Sequence, residues 1–131
     1  MKNVLVFFCF MCLIKMNAQT SYKYFDGNNN TFIINDSLVK YVPVKAKESS
    51  SGVYSGGKAK QVKINIEKFQ RLEKLFAEAF EKESEKQIIR EMMSGALSEY
   101  YTNKLKKEAI LKPKSEIKKK IEAELSAILS H

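Results

Sequence analysis

The stretch QVKINIEKFQRLEKLFAEAFEK, residues 61–82, changes its hydrophobic period partway along. Val62, Ile64 and Ile66 alternate with Lys63 and Asn65, the two-residue period of a half-buried strand. Beyond Asn65 the period lengthens. Phe69, Leu72, Leu75, Phe76, Ala79 and Phe80 fall on one arc when spaced at about 100° per residue, which predicts a core-facing helix over residues 66–83. Asn65 stands where a side-chain oxygen can accept from a free N–H of the first turn. Ile64 and Phe69 occupy the two positions of a hydrophobic staple. On the outer side Glu67–Arg71 and Glu78–Lys82 are spaced i,i+4 with the acid first, the favourable order. A strand that runs straight into such a helix implies a chain of mixed α and β structure.

Upstream, residues 22–44 read as a three-stranded meander. Tyr22 and Tyr24 flank Lys23, and Thr31 to Ile34 is β-branched and aromatic, which suits a pleated surface. Asp26-Gly27-Asn28-Asn29-Asn30 and Asn35-Asp36-Ser37 are dense in turn formers. Leu38 to Val44 forms the third strand, and Pro43 marks an edge or an exit because proline cannot donate to a ladder. Residues 45–60 (KAKESSSGVYSGGKAK) hold three consecutive Ser and three of the five Gly, the composition of an exposed, flexible loop.

Downstream, residues 86–111 admit two readings. Ile88, Ile89, Met92, Met93, Ala96, Leu97, Tyr100 and Tyr101 recur as pairs every four residues, a helical spacing. Ser94-Gly95 and Thr102-Asn103-Lys104 interrupt it as turns would. Strand–turn–strand over about 96–111 is favoured, with a long helix through residue 109 as the rival. Pro113 then ends what precedes it and Ser115 can cap a terminal helix over 116–129, with Glu116 near its positive end. Ile117, Ile121, Leu125, Ile128 and Leu129 form the apolar stripe. The expected fold class is α+β: a small, mostly antiparallel sheet with two amphipathic helices packed on one face, forming a single domain over residues 19–131.

The first eighteen residues read differently. Lys2 precedes an unbroken apolar run from Val4 to Ile14, and small Ala18 suits a cleavage site. Eleven helical residues rise only about 16 Å, half a bilayer core, so the run is short for a span. The expectation is a Sec-type signal peptide over residues 1–18, and a secreted or periplasmic product with no transmembrane span. Cys9 and Cys12 would leave with it, and the remainder would hold neither thiol nor disulfide. The Ala-Gln junction after a short Phe-rich signal resembles exported proteins of the Bacteroidetes. The segment Ser51-Gly52-Val53-Tyr54-Ser55-Gly56-Gly57 is similar to one carried by small secreted proteins of unknown function from that group. The resemblance implies a compartment and no activity. Asp36-Ser37-Leu38 looks like the short O-glycosylation site of such exports, which would place the sugar on Ser37.

With 131 residues, 44% of them hydrophobic and 29% charged, the chain has the composition of one globular domain, too small for a two-domain enzyme. A nucleophilic Ser needs a base in hydrogen-bond reach, and the sole His is the last residue, His131. Gly52 to Ala59 nearly matches a phosphate-binding loop, but Ala59 stands where the magnesium-binding hydroxyl belongs. Asp26 to Asn30 opens like a calcium loop, yet Thr31 replaces the turn Gly and Ser37 the bidentate Glu. No catalytic residue, metal site or cofactor is assigned, and the chain is read as non-enzymatic.

What remains is binding. Tyr54, in the Gly-Ser loop, offers a large contact area at low rotamer cost. Tyr54, Lys58 and Lys60 are therefore the candidate binding residues, and the expected partner is a protein in the cell envelope or outside the cell. The formal charge of +8 supports an alternative. Lys45, Lys47, Lys58, Lys60 and Lys63, with a second group at Lys104, Lys106, Lys107, Lys112, Lys114 and Lys118–Lys120, would draw a polyanion or an anionic envelope surface.

Overall fold

The computed structural model describes residues 19–49 and 51–130, so the signal-peptide reading of residues 1–18 and the terminal His131 lie outside the described residues. The strands are β1 (Thr20–Phe25), β2 (Thr31–Ile34), β3 (Leu38–Val42), β4 (Lys60–Lys63), β5 (Lys86–Gln87), β6 (Gly95–Tyr101) and β7 (Lys104–Leu111). The helices are α1 (Ile66–Glu81) and α2 (Glu116–Leu129). The strands form one seven-stranded antiparallel sheet in the order β4-β3-β2-β1-β6-β7-β5. The α+β expectation is met, with both helices on one sheet face. Among the described residues no helix is long and apolar enough to cross a membrane.

Alternation along each strand sets the two faces. Tyr22, Tyr24, Phe32, Ile34, Val39, Leu97 and Leu111 point inward and are buried. They meet Phe69, Leu72, Phe76 and Ala79 of α1 and Ile117, Ile121, Leu125 and Ile128 of α2. The Tyr22 and Phe76 rings lie 4.6 Å apart and tilted, a favourable aromatic geometry. The caps work as their residue types dictate: Asn65 Oδ1 accepts from the Lys68 N–H at 2.9 Å, and the Ser115 hydroxyl accepts from that of Lys118 at 3.1 Å.

Residues 86–111 resolve in favour of the hairpin. β6 and β7 pair from Gly95↔Leu111 to Tyr101↔Lys104, with a bulge after Glu99. Thr102 and Asn103 both have positive φ, 50° and 63°, as the two central residues of a tight hairpin turn require. The rival helix would have removed β6, the strand on which β1 pairs over six residues.

Several details depart from the sequence reading: β3 stops at Val42, short of Val44, and β4 stops at Lys63, short of Ile66, which already belongs to the helix. Helix α1 ends at Glu81, not 83, with Lys82 as its C-cap. Arg71 pairs with Glu124 of α2 at 3.5 Å instead of Glu67, because α2 packs alongside and brings a carboxylate within reach. Lys118, counted above among the basic surface groups, is buried and bonded to Glu122 at 3.1 Å. Glu122 also accepts from the Tyr24 hydroxyl at 2.8 Å. A buried ammonium so compensated is part of the interior, not of a polyanion surface.

Candidate functional site

Three connections meet at one end of the sheet. They are the β1–β2 turn (26–30), the segment after β3 (43–59) and the β5–β6 loop (88–94). The pairings put them there: β1 ends at Phe25 opposite Thr31 and Ala96, and β3 ends at Val42 opposite Thr31. Between them lies a cleft of about 490 Å³ lined by Gly27, Asn28 and Asn29, by Ser49, Ser51 and Tyr54, and by Arg90 to Ser94.

Buried Asn30 is the hub of this end. Its side-chain oxygen accepts from the Val44 N–H at 3.0 Å, and its amide nitrogen donates to Asp26 Oδ2 at 2.9 Å and to the Tyr54 hydroxyl at 3.1 Å. One amide thus ties the first turn, the exit of β3 and the Gly-Ser segment together. Asp26 is fully occupied, since its Oδ1 also accepts from the N–H groups of Asn28 and Asn30, both at 2.9 Å. The calcium-like pattern of residues 26–30 is therefore a turn that consumes its own oxygens.

The Gly-Ser segment is fastened at two more points. The Tyr41 hydroxyl donates to the Gly56 carbonyl at 2.7 Å, and the Gly56 N–H donates to that of Val44 at 3.0 Å. A Cβ at position 56 would overlap Asn30 Oδ1 and lie 2.8 Å from the Tyr41 hydroxyl, so only Gly permits this approach. The β5–β6 loop rests against the first turn in a similar way. A Cβ on Gly27 would lie 2.9 Å from the Met93 carbonyl oxygen. Arg90 stacks over the Phe25 ring at 5.1 Å and donates to the Asp26 carbonyl at 3.3 Å.

Of the three residues proposed from sequence, Tyr54 lies in the cleft wall, with 37% of its surface exposed and its hydroxyl held by Asn30. Lys58 is exposed beyond Gly57, outside the cleft lining. Lys60 opens β4, and its ammonium donates to the Leu129 carbonyl near the end of α2. The structure does not bring the three together. Sequence reasoning missed the opposite wall, Arg90 to Ser94, and the exposed apolar groups Ile88, Ile89 and Val53 that lie outside the cleft lining. In the β5–β6 loop Ile88 is 95% exposed, Met92 81% and Ile89 73%, and Val53 beside Tyr54 is 80% exposed. Full burial of such a side chain is worth about 1.5–3 kcal/mol, so four left in water at one end of a folded domain call for an explanation. The signal that could have found them was the pairing of Ile88-Ile89 and Met92-Met93 ahead of a Ser-Gly break.

Chemically, the cleft presents hydroxyls, amides, one guanidinium and one carboxylate, with an apolar rim. That set can hydrogen-bond and pack against a partner. No family model matches the chain, and neither does any curated protein or solved structure.

Proposed function

We propose that this chain is an exported, non-enzymatic interaction module whose contact surface is the loop end of the sheet. The observation that carries the reading is a polar cleft lined from two loops by the partly exposed Tyr54, Met92 and Met93, with Asn30 holding the Tyr54 hydroxyl in place. A fastened frame lets contact residues bind without first being ordered, which preserves affinity. Tyr54 serves as a wall of the site with its rotamer already set, and Met92 faces it across the cleft.

Capture of partners from the cell's own envelope fraction tests this. Tyr54→Ala and Met92→Ser should each reduce recovery at least fivefold, while Leu105→Ser, at the far hairpin, should leave it unchanged. Equal capture by all four chains would reject the loop end as the contact surface.

A second reading follows from the sheet face that the helices leave uncovered. Alternation puts Lys23, Lys40 and Lys63 on that face, and the register sets Lys40 and Lys23 in one row on either side of Ile33. This face would hold a polyanion by ion pairing. Such binding would collapse between roughly 50 and 200 mM salt, and salt-independent binding would reject it.

A further inference from the structure

The sheet face that the helices leave uncovered carries rings as well as lysines. Cross-strand register lays Val42, Thr31, Phe25, Ala96 and Ile110 in one row across β3, β2, β1, β6 and β7. Further along the same face, Tyr100 of β6 stands opposite Ser21 of β1. Phe25 and Tyr100 thus lie on neighbouring strands about 14 Å apart, the rise of four extended residues, and Lys23 stands between them. The Arg90 guanidinium lies 5.1 Å from the centre of the Phe25 ring and the Lys23 ammonium 5.6 Å from it. Over this end of the row is an open cavity of about 540 Å³, lined by Phe25, Ala96 and Ile110 and by Ile88, Arg90 and Ser98.

The charge on this face has one sign in excess. Among the described residues Lys23, Lys40, Lys63 and Arg90 form no ion pair with a carboxylate. Alternation along the strands places one acid there, Glu108 opposite Ser98, and Asp36 stands in the β2–β3 turn at the far corner. Glu83, at the edge of the cavity, is bonded to Lys86 at 2.8 Å, and Glu91 lines the neighbouring cleft instead. Four unpaired cations against two acids select an anionic occupant. The rings select further among anions. A guanidinium held on a ring offers a flat π surface that a planar base can cover and a saturated sugar ring cannot match. Bases are open to such stacking where the strand is unpaired.

We infer that the uncovered face binds single-stranded nucleic acid, with bases stacked at Phe25–Arg90 and on Tyr100 and the intervening phosphates met by Lys23 and Lys40. The inference rests on the reading of this face as a polyanion surface and names the polyanion. It calls for no sequence preference, because every base has a π face. It also gives a role to the cavity over Phe25, which the loop-end cleft does not share.

Fluorescent oligothymidylate, titrated with the full chain beside an abasic oligomer of the same length and charge, tests it. Oligothymidylate should bind at least tenfold more tightly than the abasic oligomer. Tyr100→Ala and Phe25→Leu should each weaken oligothymidylate at least threefold and leave the abasic oligomer unchanged, whereas Lys40→Gln should weaken both. Tyr100 is only half-buried, so its variant keeps the test open should Phe25→Leu fail to fold. Equal binding of the two oligomers, or no loss in the Tyr100 variant, would overturn the inference while leaving a salt-sensitive polyanion surface in place. A sulfated polysaccharide bound more tightly than oligothymidylate would make an acidic glycan the occupant instead. Binding of none of these polyanions would remove the polyanion reading as well.

Discussion

Phe76→Ala should lower the unfolding free energy by about 3–5 kcal/mol. Phe76 sits midway along α1, fully buried between the helices and the sheet. Its ring is the nearest aromatic neighbour of Tyr22, which belongs to the central strand β1. Truncation removes a large apolar side chain and leaves a void that the flanking strands cannot collapse to fill. A domain of this length has only about 5–15 kcal/mol of stability to lose. Phe76→Leu keeps most of the volume and should lose under about 1.5 kcal/mol. Urea unfolding of the two variants, followed by circular dichroism, gives the comparison. Equal and small losses would mean that α1 does not pack on β1 as described.

The second large effect is alkaline. Burial raises the pKa of Tyr24 well above the ordinary tyrosine range, and the carboxylate of Glu122 beside its hydroxyl raises it further. Burial also raises Tyr22, reinforced by Glu73 and Glu99. Both groups hold their protons in the fold to higher pH than in the unfolded chain, where tyrosine titrates near pH ~10. Their contribution to stability is complete below that value and is lost as pH rises above it. With two protons retained by the native state alone, stability should fall by about 2.7 kcal/mol per pH unit above pH ~10. Denaturant midpoints measured from pH 8 to 11.5 would show it. Absorbance at 295 nm should show Tyr22 and Tyr24 ionising only as the chain unfolds. A flat stability profile through pH 11 would contradict the buried Tyr22–Glu73 and Tyr24–Glu122 contacts.

The parts of the fold set by local chemistry could be read from the sequence. The Asn65 and Ser115 caps, the apolar arcs of both helices and the meander of β1 to β3 depend on neighbours within a few residues. Arg71 shows where that reach ends. Spacing along one helix points it to Glu67, but packing of α2 supplies Glu124. The β5–β6 loop shows a second limit. Ile88, Ile89, Met92 and Met93 have helical spacing without a helix, because Ser94 closes a turn on Glu91, donating to its carbonyl at 2.6 Å. Spacing also cannot report that these side chains face water. The candidate site depends on long-range closure. Residues 26–30, 43–59 and 88–94 meet only because β1 pairs with both β2 and β6, and no local pattern encodes that second pairing. Tyr54 was visible as an aromatic in a Gly-Ser segment, whereas its partner Asn30 lies 24 residues away.

Amide hydrogen exchange, measured on the chain alone and with its own envelope fraction, tests the loop-end contact surface most directly. Exchange should slow across residues 49–56 and 88–94 and stay unchanged across 102–107. Protection confined to the β6–β7 turn, or to neither region, would contradict the account.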